Sequence, residues 1–283
     1  MRSIPKRETS VGRLHLVATP IGNLEDVTLR ALRVLAEADL LLAEDTRRTR
    51  TLLSRHGIEA RPHSLHAHNE SARIERVLAV LAGDGDVALV SDAGTPLVSD
   101  PGERLVAAAI EAGHDVVPVP GASALLAGLA IAGLPAAEGF TFVGFLPRKK
   151  GARDARLAEL RMHRETLVFF ESPRRVAATL RALCEALGDR PACLARELTK
   201  LHEEAARGGL SELADRYRDG TRGEITLIVA GAGDPDPPDP ASIDAAIRDS
   251  LAAGHSPRDT AAEVADRFGL PRSSIYPRVI ALR

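Results

Sequence analysis

Tryptophan is absent from this sequence, and aromatic residues of all kinds make up 3% of its 283 positions. Leu, Val and Ala must therefore fill the interior. Few rings remain on which unpaired bases can stack, which disfavours a simple base-stacking mode of RNA binding. Cysteine is equally scarce. Cys184 and Cys193 form no CxxC pair, and they imply neither a disulfide framework nor a zinc site. A reducing, cytoplasmic setting is expected. The longest apolar stretch, 122–135, is broken by glycine and falls short of the ~20 residues needed to span a bilayer. No membrane association is expected. The opening MRSIPKRETSVGR is basic but lacks the apolar centre of a secretory leader, and 1–11 reads as a loose tail. A net charge of −2 excludes a uniformly basic nucleic-acid coat, although the charge is patchy. No GxxxxGK[ST] loop occurs and no GxGxxG opens a strand–helix unit, so ATP- and NAD-dependent chemistry lose ground.

The sequence does contain a regular alternation. Strand-like runs at 14–18, 39–43, 87–90 and 115–119 alternate with helical patterns at 28–38, 47–56, 71–82 and 103–112. After a break near Pro120 the pattern resumes. Strands are expected at 140–145, 166–170, 192–196 and 224–230, and helices at 152–161, 176–187 and 210–217. This predicts an α/β protein with a largely parallel sheet. The expected divisions are an N-terminal α/β domain over 12–119, a C-terminal α/β domain over 120–233, a proline-rich linker over 234–240 and a helical tail over 241–283. In the tail, SPRDTAAEVADRFGLPRSSIYPRVIAL reads as two short helices in a helix-turn-helix-like arrangement. Arg272, Arg278 and Arg283 are its candidate RNA contacts; the alternative is a module that only packs.

Ligands of parallel α/β sheets bind at the carboxyl ends of the strands. TPIGNL, EDTRRT, SDAGTP, PGAS, ESPRR and RELTK each follow a strand. One such cluster alone would be a turn or a cap. Six in register predict a shared cleft. The densest is LVSDAGTPLVSDPGERLV, 89–106, which carries more polar chemistry than a strand-to-helix connection needs. His63, His66 and His68 with Glu70 look superficially like metal ligands, but their spacing suits a loop contacting substrate or a partner subunit. No metal is expected.

The segments LHLVATPIGNLEDVTLRAL, LLAEDTRRTRTLL, HAHNE, VSDAGTPLVSDPG, VPVPGASA, GFLPRKKGAR, FFESPRRV, RELTKLHEE and GEITLIVAG together resemble a known family. It is the bacterial small-subunit ribosomal RNA 2′-O-methyltransferases that modify a cytidine ribose, within the tetrapyrrole-methylase superfamily. The likeness covers 12–233, and the tail resembles that of the family too. It implies two α/β domains of the tetrapyrrole-methylase type (class III S-adenosylmethionine methyltransferases) plus a small helical C-terminal module. It also implies S-adenosylmethionine as cofactor, small-subunit ribosomal RNA in the assembled 30S particle as partner, and a homodimer.

Within that resemblance, the loop of Asp92, Ala93 and Gly94 lies beside the cofactor. Asp92 is suited to accept from its amino or hydroxyl groups, and Gly94 permits close backbone approach. Ser123 and Ala124 open a helix whose N–H groups can face the ligand's polar portion. Pro20 and Ile21 would wall the pocket. Phe170, Leu198 and Thr199 are candidates for the adenosine side, and Ile225 and Ile228 for the far wall or for plain strand core. Arg47, Arg48 and Arg50, then Arg148, Lys149, Lys150 and Arg153, then Arg174 and Arg175, are candidate contacts to RNA phosphates, or else solvated surface. The reaction would be an in-line attack of a ribose 2′-oxygen on a methyl carbon, which calls for a proton acceptor. Asp45 and Glu44 are the first candidates, Glu197 and Lys200 the second, and Asp45 suits a helix cap equally well. Two rivals remain: a methyltransferase acting on a tetrapyrrole (precorrin) carbon, and a non-catalytic RNA-binding ribosome assembly factor.

Overall fold

A computed structural model describes residues 12–66, 70–137, 139–233 and 239–283. The chain divides into two compact units, 1–231 and 232–283.

In the first unit, the described strands form two five-stranded sheets. The first contains β1 (Arg13–Val17), β2 (Leu40–Ala43), β3 (Pro62–Ser64), β4 (Val87–Val90) and β5 (Asp115–Val119). All its pairings are parallel, in the order β3-β2-β4-β1-β5. Helices α1 (Leu29–Glu37), α2 (Thr46–Arg55), α3 (Glu70–Ala82) and α4 (Glu103–Glu111) connect these strands. Leu35, Leu52 and Val17 pack in one core, and Leu14, Leu81 and Leu105 in another. Burial on both faces explains why β2 and β4 read as unbroken apolar runs. Short β3 escapes the sequence reading. His63 lies in it, paired with Leu42, and His66 follows it. His68 lies outside the described residues. Glu70 is buried, and its Oε1 accepts from the Leu105 N–H at 3.1 Å. It thereby caps α4, whose own N-cap is the side-chain-less Gly102. Among the described residues no His, Cys, Asp and Glu cluster is arranged to hold a metal ion.

The second sheet contains β6 (Phe140–Phe145), β7 (Thr166–Glu171), β8 (Pro191–Arg196), β9 (Glu204–Gly209) and β10 (Ile225–Val229), in the order β6-β7-β10-β8-β9. Only the β6–β7 pairing is parallel; β7–β10, β10–β8 and β8–β9 are antiparallel. The expectation of a largely parallel sheet therefore fails in this half. The cause is β9, which follows β8 through a turn rather than a helix and leaves β10 to run back between β7 and β8. Its sequence, EAARGG, buries only Ala206 and has no apolar alternation to betray a strand.

Helix α5 (Ala124–Ala132) lies on one face of this sheet. It sits so close that a Cβ on Gly128 would come within 3.0 Å of Thr226 and 3.2 Å of Ile228. Helices α6 (Lys150–Leu160), α7 (Val176–Leu187) and α8 (Leu210–Arg216) bury Leu157, Leu180 and Leu213 against Phe169 and Leu227 in a core of their own. Each such buried side chain contributes ~1.5–3 kcal/mol. The expected basic loop at 148–153 is partly helical, with Lys149 as the N-cap of α6.

The second unit holds α9 (Pro240–Ala252), α10 (Pro257–Phe268) and α11 (Arg272–Leu282), around Ile247, Val264 and Val279. A further helix thus precedes the expected pair. Pro240 starts it rather than ending the linker, because proline fits the first helical position and Asp239 caps it. Residues 234–238 of the expected linker lie outside the described residues. Gly269, at φ 64°, closes α10 in a left-handed conformation. Arg278, a candidate RNA contact, instead ties α11 to α9: it donates to Asp244 Oδ1 at 2.5 Å and to the Pro240 carbonyl at 2.8 Å. Arg258 and Arg272 make no hydrogen bond or ion pair among the described residues, and with Ser273 and Tyr276 they border a surface cavity.

Candidate active site

The loops at the carboxyl ends of the parallel sheet meet one edge of the second sheet. There β7 and β8 end and β10 begins, since Glu171 and Arg196 both pair with Ile225. The junction encloses a cleft with two lobes. One, of 310 Å³, is bordered by Pro20, Ile21, Arg48, Leu52, Asp92 and Lys200. The other, of 450 Å³, is bordered by Ile21, Asp100, Ala124, Phe145, Phe170, Leu198 and Thr226. Ile21, Arg48, Asp92, Ala93 and Glu224 border both. Each volume suits a small-molecule site.

Backbone contacts fix the loops. Thr19 and Gly94 exchange hydrogen bonds, N–H to carbonyl, at 2.9 and 3.0 Å. Ser91 donates its hydroxyl to the Gly94 carbonyl at 3.0 Å. Gly94 has φ 85°, where a side chain would be strained. A Cβ on Gly22 would press into the Lys200 side chain, and the next residue, Asn23, donates its N–H to Thr199 Oγ1 at 3.0 Å. TPIGN of the first sheet thus docks on ELTK of the second.

A chain of charges crosses the cleft. Asp92 Oδ1 accepts from the Asp45 N–H at 2.7 Å, and Oδ2 lies 3.8 Å from Arg48 Nε. Lys200 Nζ donates to Glu224 at 2.7 Å and to Glu197 at 2.8 Å. Burial works against the Lys200 charge, but those two carboxylates hold its pKa above the ordinary lysine range. The Lys200 hydrogen bond in turn holds Glu197 below the usual carboxylate range.

Asp45 caps α2 by accepting from the Arg47 N–H at 2.8 Å. The Arg47 guanidinium grips the same carboxylate at 2.7 Å, and these hydrogen bonds bring its pKa down to about 2. Burial, then the neighbouring Asp92 charge, pushes Glu44 upward. Neither Asp45 nor Glu44 borders a lobe.

The remaining candidates divide. Ala93, Ala124, Phe170, Leu198 and Ile225 border the larger lobe. Ser123 caps α5 by accepting from the Leu126 N–H at 3.4 Å. Ile228 is fully buried beneath α5 and borders neither lobe; its neighbour Thr226 does. Of the basic residues, Arg48 lies in the cleft, and Arg175 is turned inward, donating to the Leu146 carbonyl at 2.9 Å beside buried Glu171. Arg153 is largely covered next to Asp154, which also pairs with Lys150 at 2.8 Å. Arg47, Arg50, Arg148, Lys149, Lys150 and Arg174 are exposed.

Three acids that border the cleft, Asp100, Glu171 and Glu224, are not among the expected site residues. Asp100 borders the larger lobe. Burial, then the Glu44 and Asp92 charges, pushes its pKa up to about 6, with the Ser91 hydroxyl acting in the opposite direction. Leu97 and Ser99 beside it have φ 72° and 71°, a strained conformation for non-glycine residues. The signal was present in VSDAGTPLVSDPG, whose second acid reads as turn chemistry. Glu224 precedes an antiparallel strand, so a rule pointing to carboxyl ends passes over it.

Residues 13–214 match the family described as Tetrapyrrole (Corrin/Porphyrin) Methylases. Residues 237–283 match the RsmI C-terminal HTH domain. The chain is 50% identical over 273 residues to the Ribosomal RNA small subunit methyltransferase I of Mesorhizobium japonicum, covering 95% of this chain and 92% of that protein. The protein of the same name from Micromonospora olivasterospora is 47% identical over 275 residues, covering 96% and 88%. Among solved structures, uroporphyrin-III C-methyl transferase from Thermus thermophilus, complexed with S-adenyl homocysteine, aligns with a TM-score of 0.54 at 24% identity, covering 77% of this chain and 97% of that one. That likeness is one of fold. Matched along nearly its whole length by these relatives, the chain belongs to the ribosomal RNA small subunit methyltransferase I family.

Proposed function

We propose that this chain is an S-adenosylmethionine-dependent methyltransferase that methylates the ribose 2′-hydroxyl of a cytidine in small-subunit (16S) ribosomal RNA. The observation that carries this reading is the two-lobed cleft, with carboxylates bordering both lobes and Phe145 and Phe170 bordering the larger. Its donor set fits the cofactor. Asp92 and Glu224 supply acceptors for an ammonium or sulfonium. Phe170, Ile21 and Leu198 offer an apolar wall to a nucleoside. When bound, S-adenosylmethionine supplies an electrophilic methyl group. The chain contributes alignment and exclusion of water, an effect of several kcal/mol.

Exposed Arg47, Arg50, Arg148, Lys149, Lys150 and Arg174 support a polyanionic substrate, for which we propose the assembled 30S particle. No helix among the described residues is long and apolar enough to cross a membrane. With a ribosomal substrate, this supports a cytoplasmic location. A homodimer is supported by α5, ALLAGLAIA, which has no polar residue, while Leu126 is 56% exposed on it. Sedimentation giving a monomer at micromolar concentration would contradict the dimer.

The test of the activity is incubation of the purified protein with labelled S-adenosylmethionine and, separately, assembled small subunits, free ribosomal RNA or a tetrapyrrole. Label at a cytidine ribose in the particle is expected. Label in the tetrapyrrole alone, or in nothing, overturns the proposal.

A further inference from the structure

Every carboxylate near the cleft except one is either tied down or set aside. Asp45 is gripped by Arg47. Asp92 accepts the Asp45 N–H and faces Arg48. Glu197 and Glu224 share Lys200. Glu171 is only 1% exposed; it accepts from the Ser172 N–H at 2.7 Å and the Thr179 hydroxyl at 2.6 Å, with Arg175 at 3.4 Å. Glu44 borders neither lobe. Asp100 alone borders the larger lobe with no cation paired to it among the described residues.

Resting on the proposed 2′-O-methylation, we infer that Asp100 is the proton acceptor for the attacking ribose hydroxyl, and so a further catalytic residue. As the 2′-oxygen bonds to the methyl carbon, the carbon–sulfur bond breaks and its electron pair leaves on sulfur. The hydroxyl proton passes to an Asp100 carboxylate oxygen and from there to water. The charges balance: alcohol, sulfonium and carboxylate become ether, thioether and carboxylic acid.

The surroundings suit the task. A carboxylate with an ordinary pKa is a feeble base; one raised toward neutrality accepts a proton more readily and is still ionised at working pH. Asp100 is pushed up to about 6 by burial and by Glu44 and Asp92. The charged groups around it come from every side: Glu44 after β2, Arg48 on α2, Asp92 in its own loop, Glu171 ending β7 and Glu224 preceding β10. Arg48 is itself 3.8 Å from Asp92 and 3.7 Å from Glu224, so its charge is shared between them. The left-handed residues Leu97 and Ser99 shape the loop that presents Asp100, and strain of that kind persists where a side chain must be aimed.

The experiment compares wild type, Asp100→Asn and Asp100→Glu with assembled small subunits from pH 5 to 9, with calorimetry of S-adenosylhomocysteine binding alongside. Wild type should show a rate that climbs with pH and levels above about 6. Asp100→Asn should lose roughly 10²–10⁴-fold in kcat, and with it the climbing limb, while KM and S-adenosylhomocysteine affinity stay within about threefold. Asp100→Glu should recover part of the rate. An Asn variant with near-normal kcat, or one whose defect is matched by lost S-adenosylhomocysteine affinity, overturns the inference. If Asn does not fold, a folded Glu variant lacking both rate recovery and a climbing limb does so too. An inactive wild type would instead count against the 2′-O-methylation itself.

Discussion

Arg48, carried by α2 on the parallel sheet, holds its Nη1 3.7 Å from the Glu224 carboxylate that precedes β10 of the other sheet. Both side chains are 56% exposed, so the pair is a loose one. Exposed pairs of this kind contribute ~0–1 kcal/mol to stability. Arg48 borders both lobes, and its position matters more than its strength. Arg48→Ala should leave the thermal midpoint nearly unchanged yet alter S-adenosylhomocysteine affinity severalfold in calorimetry. A variant that loses stability without any change in affinity would show that the bridge only holds the sheets together.

Asp92 has two tasks that substitution can separate. Asp92→Asn keeps an oxygen for the Asp45 N–H but removes the charge. It should fold like wild type and bind S-adenosylhomocysteine about tenfold more weakly, as expected when one charge-assisted hydrogen bond is removed. Asp92→Ala should in addition lose ~1–3 kcal/mol of stability, because the Asp45 N–H is left without an acceptor. Unchanged affinity in the Asn variant would remove Asp92 from the ligand site.

Exposed and inward-turned basic residues should separate in RNA binding. Removing Lys149 or Arg174 should flatten the salt dependence of small-subunit binding by about one unit of slope for each phosphate that is no longer neutralised. Arg175→Ala should leave the slope alone and lower stability by ~1–3 kcal/mol, since it frees the Leu146 carbonyl and strips buried Glu171 of its cation. A slope that responds to Arg175 and not to the others would reverse the assignment.

Asp100 predicts a pH effect on stability with a definite sign. Its pKa rises from 3.8 to about 6 on folding, so the folded state holds the proton more tightly than the unfolded one. Stability therefore falls as pH climbs from about 4 to about 6, and the full cost persists above. Asparagine cannot ionise. Asp100→Asn should be more stable than wild type at pH 8, by at most about 3 kcal/mol, and the advantage should vanish below pH 4. Urea midpoints at the two pH values test this; an equal difference at both would refute the burial of an ionised Asp100.

The helical unit provides a fifth test. A chain cut after Gly233 should bind S-adenosylhomocysteine normally but methylate the assembled particle poorly. Replacing both Arg258 and Arg272, which border its cavity without a partner among the described residues, should reproduce part of that defect in the full chain. Arg278→Ala should instead loosen the unit by freeing Asp244. Full activity of the cut chain on particles would leave the unit without a recognition role.

What the sequence made legible follows from directionality. In the parallel sheet every carboxyl end points one way, so Asp92 and Pro20 were readable from their positions after strands. Once β10 runs backwards, its amino end brings Glu224 to the same edge, and no rule about carboxyl ends finds it. Strand β9 escaped because Arg207, Gly208 and Gly209 show no alternation. Asp100 escaped because an Asp before Pro-Gly looks like a turn; only burial and its acidic neighbours set it apart. Arg175 sits in a run that promises surface charge, yet it points inward because Leu146 leaves a carbonyl for it.

The order β3-β2-β4-β1-β5 has a consequence for the growing chain. Strand β1 is made first but pairs only with β4 and β5. Arg13 and its hydrogen-bond partner Asp86 are separated by 73 residues. During synthesis, Leu14 and Val17, both fully buried in the finished protein, have no strand to pair with until β4 leaves the ribosome. Closure of so long a loop is slow compared with local helix formation. The earliest of these strands thus stays unpaired longer than β2, which can join β3 before β4 is made, and its edges are open to other chains for that interval.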